Sequence, residues 1–157
     1  MVVDPGGRWV ATASDDIIRI WGTTVVQRNR WGVPIKLLRK DTDTADVWSL
    51  AVSPCGTYLA SGAADGTFRI WKVTKNYPIA YFYKHPTGIT HLTYSPNGDR
   101  LLTACDDGKI RCFDSATGET AWCLDVGCAS SFRGVFWVKD KIIAVRERVV
   151  DVWRSHF

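Results

Sequence analysis

Three stretches of this chain repeat one another: WVATASDDIIRIW at residues 9–21, YLASGAADGTFRIW at 58–71 and LLTACDDGKIRCF at 101–113. In each, a short run of β formers and small residues meets a turn, and an alternating run follows. Asp65-Gly66 and Asp107-Gly108 supply the positive-φ positions of a tight hairpin. The first copy turns through Ser14-Asp15-Asp16, one residue shorter and without glycine, where Asp tolerates left-handed geometry less readily than Gly. A chain written this way is a series of hairpins, and its fold class is all-β.

A second turn signal precedes each hairpin: Asp4-Pro-Gly-Gly7, Ser53-Pro-Cys-Gly56 and Ser95-Pro-Asn-Gly98 place Pro and Gly as type I or II turns require. Strand patterns lie ahead of two of these turns, at Val47 to Ser53 and Ile89 to Ser95. Pro78 to Tyr83 and Glu119 to Asp125 fit a fourth strand in each unit. Trp21, Trp71, Phe113 and Trp153 fall 50, 42 and 40 residues apart. Four short strands per roughly 40 residues is the period of propeller blades, each a four-stranded antiparallel sheet. The expected units are 1–46, 47–84, 85–126 and 127–157. The first carries an insertion at 22–46 with one outer strand near Ile35 to Arg39. The last keeps strand, turn, strand, turn, strand in VFWVKDKIIAVRERVVDVW but has lost the Gly and Ser-Pro marks.

The segments SPCGTYLASGAADGTFRIW and HPTGITHLTYSPNGDRLLTACDDGKIRCFD match in register over two units. Through them the chain resembles the WD-repeat family of β-propellers along nearly its whole length. That resemblance implies a buried hydrogen-bond network of a His before the first strand, an Asp in the hairpin turn and a Trp in the third strand. His85 is placed as that His, Asp65 and Asp107 as that Asp, and Trp21, Trp71 and Trp153 as that Trp. No unit carries the full set. The third has His85 and Asp107 but Phe113, which cannot donate; the second has Asp65 and Trp71 but no matching His. In some members an Arg shortly after the third-strand Trp-Asp marks ubiquitin-ligase adaptors, and no unit here reproduces that pair.

About three and a half blades are legible, whereas propellers have at least four. Two readings stand. One is part of a larger ring, a seven-bladed one by resemblance, completed by a second chain or by further sequence. The other is an open arc protected by partners, because uncovered blade faces expose apolar surface.

Searched for chemistry, the sequence yields little. It contains no HExxH, GxSxG, GxxxxGK[ST] or GxGxxG. His85, His91 and His156 lack ligand spacing, and His91 alternates with apolar Leu92 in a strand as a structural or surface imidazole would. Asp15-Asp16 and Asp106-Asp107 read as turn residues rather than acid–base pairs. The 5 cysteines form no CxxC pair, and most stand where strands take small apolar residues; a reducing compartment fits. The N-terminus lacks a signal-peptide pattern, and no run approaches the roughly 18 apolar residues of a membrane span. These features predict a soluble intracellular protein, cytoplasmic or nuclear, without catalytic residues, metal or cofactor.

The formal net charge of +4 is too mild to imply nucleic acid by itself. One segment concentrates it: Arg28, Arg30, Lys36, Arg39 and Lys40 flank Trp31. Basic side chains interleaved with an aromatic can grip phosphate and stack on a base, can form a protein hot spot, or can simply solvate an outer strand. The resemblance implies a rigid platform whose loops carry function. The expectation is a non-enzymatic scaffold or adaptor that binds protein partners in a multi-subunit complex. Arg28, Arg30, Trp31 and Lys36 form its first candidate contact surface, with Trp48 and His91 second. The alternative is an RNA-associated assembly factor that uses residues 28–40 on phosphate.

Overall fold

The computed structural model describes residues 1–23, 36–39, 45–73, 78–127 and 132–154. Positions 36, 39 and 78–84 are described by backbone alone. Among these residues there is no helix, and every strand belongs to an antiparallel meander. The first sheet holds β1 (Val2–Val3), β2 (Trp9–Ser14), β3 (Ile17–Gly22) and β4 (Lys36–Arg39). The second holds β5 (Val47–Val52), β6 (Tyr58–Ala63), β7 (Thr67–Lys72) and β8 (Pro78–Lys84). The third holds β9 (Ile89–Tyr94), β10 (Arg100–Cys105), β11 (Lys109–Asp114) and β12 (Thr120–Asp125). The fourth has three strands, β13 (Gly134–Val138), β14 (Lys141–Val145) and β15 (Val150–Arg154).

The repeated turns explain why each meander forms. Gly66 and Gly108 take φ of 83° and 75°, and Asp15 carries the first hairpin at φ 55° without a glycine. The aspartates also shape these turns: Asp65 Oδ1 accepts from the Thr67 amide at 3.1 Å, and Asp107 Oδ1 from the Lys109 amide at 3.1 Å. At the opposite edge Ser53 Oγ accepts from the Tyr58 amide at 3.0 Å, and Ser95 Oγ from the Arg100 amide at 2.9 Å. In the first sheet a carboxylate replaces the hydroxyl, since Asp4 Oδ2 accepts from the Arg8 amide at 3.0 Å. The Arg8 guanidinium closes on the same group, at 2.6 Å from Nε, and holds the buried carboxyl down to about 2. Successive turns touch: Gly56 lies against Asp4 and Arg8, and Gly98 against Pro54.

Sheets stack face to face through three apolar layers. Trp9, Ala11, Ile18, Ile20 and Leu38 of the first sheet meet Leu59 and Trp71 of the second. Ala60, Phe68 and Ile70 meet Ile89, Leu92, Leu101 and Phe113 of the third. Leu102, Ala104, Ile110 and Cys112 meet Val135, Ile142 and Ala144 of the fourth. Adjacent Leu101 and Leu102 thus enter different layers, as the period of two along a strand requires. The outward face of the fourth sheet carries Phe136, Val150 and Val152, each more than half exposed. Phe136, Ile143 and Val152 align in one cross-strand row there.

The tightest approach of backbone to backbone among the described glycines is at Gly66, where an added Cβ would collide with the His85 carbonyl oxygen and lie 2.7 Å from that of Thr87. Its φ of 83° already disfavours any side chain. Gly66→Ala is expected to lower stability by about 2 kcal/mol, read as a lower urea midpoint at unchanged m-value.

Candidate partner-binding face

The hairpin turns and the segments entering each inner strand converge on one edge of the stack, where hydrogen bonds run both between neighbouring sheets and within each one. The Val47 amide donates to the Asp15 carbonyl at 2.8 Å, the Ala64 amide to Asp46 at 2.9 Å, and the His85 amide to Gly66 at 2.8 Å. The Asp106 amide donates to Gly88 at 3.1 Å, and the Asp107 amide to the Thr87 hydroxyl at 3.1 Å. These bonds hold residues from three sheets in a fixed edge.

Beneath it, the residues placed by resemblance hold polar contacts of their own. Trp71 Nε1 donates to Ser61 Oγ at 2.8 Å, and Trp21 Nε1 to Thr12 Oγ1 at 2.9 Å. His85 Nε2 lies 3.2 Å from Thr103 Oγ1. Phe113 stands where the second sheet has Trp71, and its ring meets the His85 ring edge-on at 5.5 Å. Asp65 also accepts the Thr67 hydroxyl at 2.7 Å, and Asp107 pairs with Arg111 at 2.6 Å. Trp153 is partly buried against the layer between the third and fourth sheets. The partners Thr12, Ser61 and Thr103 carry no sequence signal beyond a hydroxyl residue midway along each second strand.

Burial first, and then the Arg111 charge, bring the His85 pKa down to about 4 against the opposing pull of Asp107. Burial raises the Asp107 carboxyl, but the Arg111 and Lys109 hydrogen bonds and the Arg111 charge outweigh it, leaving the group below its usual range.

Of the second candidate surface, Trp48 lies on the edge and is 51% exposed. Val47 pairs with Ala63 and Ser49 with Gly62, so Trp48 is the extra residue of a β-bulge. Its ring lies over Gly88, where an added Cβ would come within 2.6 Å of Cζ3. In β9 the bulge recurs at Thr90, whose hydroxyl bonds back to the Ala104 carbonyl at 3.1 Å. His91 follows it, half-buried, with burial lowering its pKa against the opposing pull of the Arg133 backbone. Arg28, Arg30 and Trp31 lie outside the described residues, as does the side chain of Lys36.

The cysteines divide by environment. Cys105 and Cys112 are buried, and burial pushes each thiol up to about 12. Cys55 is exposed on its turn; hydrogen bonds from Ser53 and then Thr57 bring it down to about 7. Among the described residues no group of His, Cys, Asp and Glu could hold a metal ion. No described helix is long and apolar enough to cross a membrane.

The family profile described as "WD domain, G-beta repeat" matches residues 1–22, 32–72 and 76–114. The chain belongs to the WD40-repeat family. It is similar to the "Periodic tryptophan protein 2 homolog" of Dictyostelium discoideum, 26% identical over 144 residues, covering 92% of this chain and 15% of that protein. It is also similar to the "Guanine nucleotide-binding protein subunit beta" of Oryza sativa subsp. indica, 30% identical over 122 residues, covering 74% of this chain and 30% of the relative. Among solved structures, "Structure of U3-55K" superposes with a TM-score of 0.84 at 19% identity, covering 98% of this chain and 47% of the other. The WD40 chain therefore spans less than a third of these relatives and about half of a solved propeller. The profile stops at residue 114, yet the fourth sheet is present and the structural match extends across it.

The depressed His85 pKa makes stability depend on pH. The folded state holds the imidazole neutral while the unfolded state protonates near 6.5. The unfolded chain thus binds more protons between pH 6.5 and about 4, and stability is full above that window and falls through it. The loss is on the order of 3 kcal/mol at most. Urea titrations at pH 7.5 and 4.5 are expected to show a smaller difference in His85→Asn than in the parent chain.

Proposed function

We propose that this WD40 chain is a non-enzymatic interaction platform that docks protein partners within a larger assembly. One observation carries this reading: an exposed tryptophan held on a rigid, backbone-bonded edge. Trp is over-represented at protein hot spots, and a pre-ordered edge loses little entropy on binding. The units 1–46, 47–84, 85–126 and 127–157 serve as the repeats of this platform.

The exposed row of Phe136 and Val152 supports a further proposal, that more propeller sheets cover the outer faces in a seven-bladed ring. Those sheets are supplied by a second chain or by additional sequence. The platform works in the cytoplasm or nucleus. A native sample examined by size exclusion with light scattering is expected to run in a defined complex with another protein. A monodisperse 17.6 kDa species that melts cooperatively would overturn the ring reading, and a native sample that carries no bound protein would overturn the platform reading.

A second reading rests on the basic segment. Arg28, Arg30, Lys36, Arg39 and Lys40 around Trp31 suit phosphate, and the "Pre-mRNA-processing factor 19 homolog 2" of Arabidopsis thaliana is 26% identical over 142 residues. If RNA is the partner, affinity for a single-stranded oligonucleotide is expected to fall at least tenfold between roughly 50 and 200 mM salt, because phosphate contacts release counterions. A flat salt response would leave the segment to protein contact.

A further inference from the structure

We propose that the Trp48 edge receives a cationic side chain, lysine or arginine, from an extended segment of a partner protein. This rests on the reading of the chain as a protein-binding platform and names the chemistry of its contact.

The indole comes first. Trp48 is the extra residue of its bulge, so the ladder that pairs its neighbours turns it outward, as bulges re-aim side chains. Only a glycine at 88 leaves room for the ring, and the backbone there gives it a floor. A bonded floor beneath one side leaves a fixed aromatic surface to solvent, 51% of the residue. At the matching bulge in the next sheet a small Thr90 folds its hydroxyl back onto the backbone. The tryptophan is a feature of this position and not of the repeat.

Three aspartates outside any described ion pair stand along the edge that carries it. Asp46 lies two residues upstream and is exposed; exposed Asp15 has its carbonyl on the Val47 amide; Asp106 has its amide on the Gly88 carbonyl. None of the three is in an ion pair among the described residues, and the bond to the Asp15 carboxylate comes from the neutral Ser14 hydroxyl. By contrast, Asp107 and Asp125 on the same edge are held by Arg111 and Lys109. A chain of net charge +4 thus presents a locally negative field around its exposed indole.

A π face with carboxylates nearby suits a cation, which gains the ring quadrupole and opposite charge together. The same carboxylates repel phosphate, so this edge is a poor base-stacking platform, whatever the segment at 28–40 does.

The test uses the full chain and two fluorescein-labelled peptides, Gly-Ser-Arg-Gly-Lys-Gly-Arg-Ser-Gly and its counterpart with Gln at each Arg and Lys. Anisotropy is expected to show the cationic peptide binding at least tenfold more tightly than the neutral one. Trp48→Ala should remove most of that difference, while Trp48→Phe keeps part of it. Asp46→Asn combined with Asp106→Asn should weaken the cationic peptide several-fold with the indole intact. Equal affinity for the two peptides overturns the proposal. So does unchanged binding by Trp48→Ala or by the double Asn variant, or displacement of the peptide by oligouridylate at Trp48. If cationic binding fails while the chain still runs in a defined complex, the cation site is wrong and the platform stands. If a native sample carries no bound protein, the platform reading fails with it.

Discussion

A sheet whose strands are apolar on both sides has no stable existence as a single layer, and the rest of this structure follows from that. Leu101 and Leu102 are neighbours, and each is fully buried in a different layer. The third sheet is therefore stabilised only when the second and fourth lie against it. Repetition in sequence becomes stacking in space because every unit presents the same problem to the next. At roughly 25 cal/mol per Å² of apolar surface, these layers dominate the favourable side of folding. They set the spacing of the sheets and so the geometry of the edge.

Apolar burial alone does not fix how one sheet sits on another. The polar contacts inside and along the layers do that. Trp71 must reach the Ser61 hydroxyl, and His85 must stand against Thr103 with Phe68 and Phe113 around its ring. Each bond joins positions that a one-residue slip would move to the opposite face. Buried polar groups are costly when unpaired, so the register that satisfies them has few competitors. His85 holds the entry to β9 against the hairpin before it, since its own amide bonds Gly66. The edge above is stiff because the core beneath it is over-determined.

Much of this was legible in the residues. The Asp-Gly and Ser-Pro-x-Gly signals state backbone conformations, and backbone conformation is local. The fourth sheet was legible only through alternation, since its turns run through Lys139, at φ 54°, and Arg146–Val149 without the usual glycine. What escaped were pairings across strands. Ser61 and Thr103 are ordinary strand residues until a ring nitrogen from elsewhere arrives. Trp48 could be placed near the edge, but nothing local marks it as the unpaired residue of a bulge. That follows from the register of Val47 and Ser49 against β6, a relation between segments.

The two bulges show how a repeated fold acquires an individual surface. Thr90 and Trp48 occupy the same break in the same strand of neighbouring sheets, and the ladders around them are alike. Because the break lies outside the stacked layers, a side chain there can change without disturbing the apolar packing that Leu59 or Leu92 must satisfy. Thr90 uses the freedom to close a backbone bond. Trp48 uses it to display an aromatic surface, which requires a glycine at 88 in the following unit. The cost of that display is shared between two repeats, so a contact feature of one sheet constrains the backbone of the next. Function in such a chain is written in departures from the repeat, and the repeat supplies the rigidity that makes a departure specific.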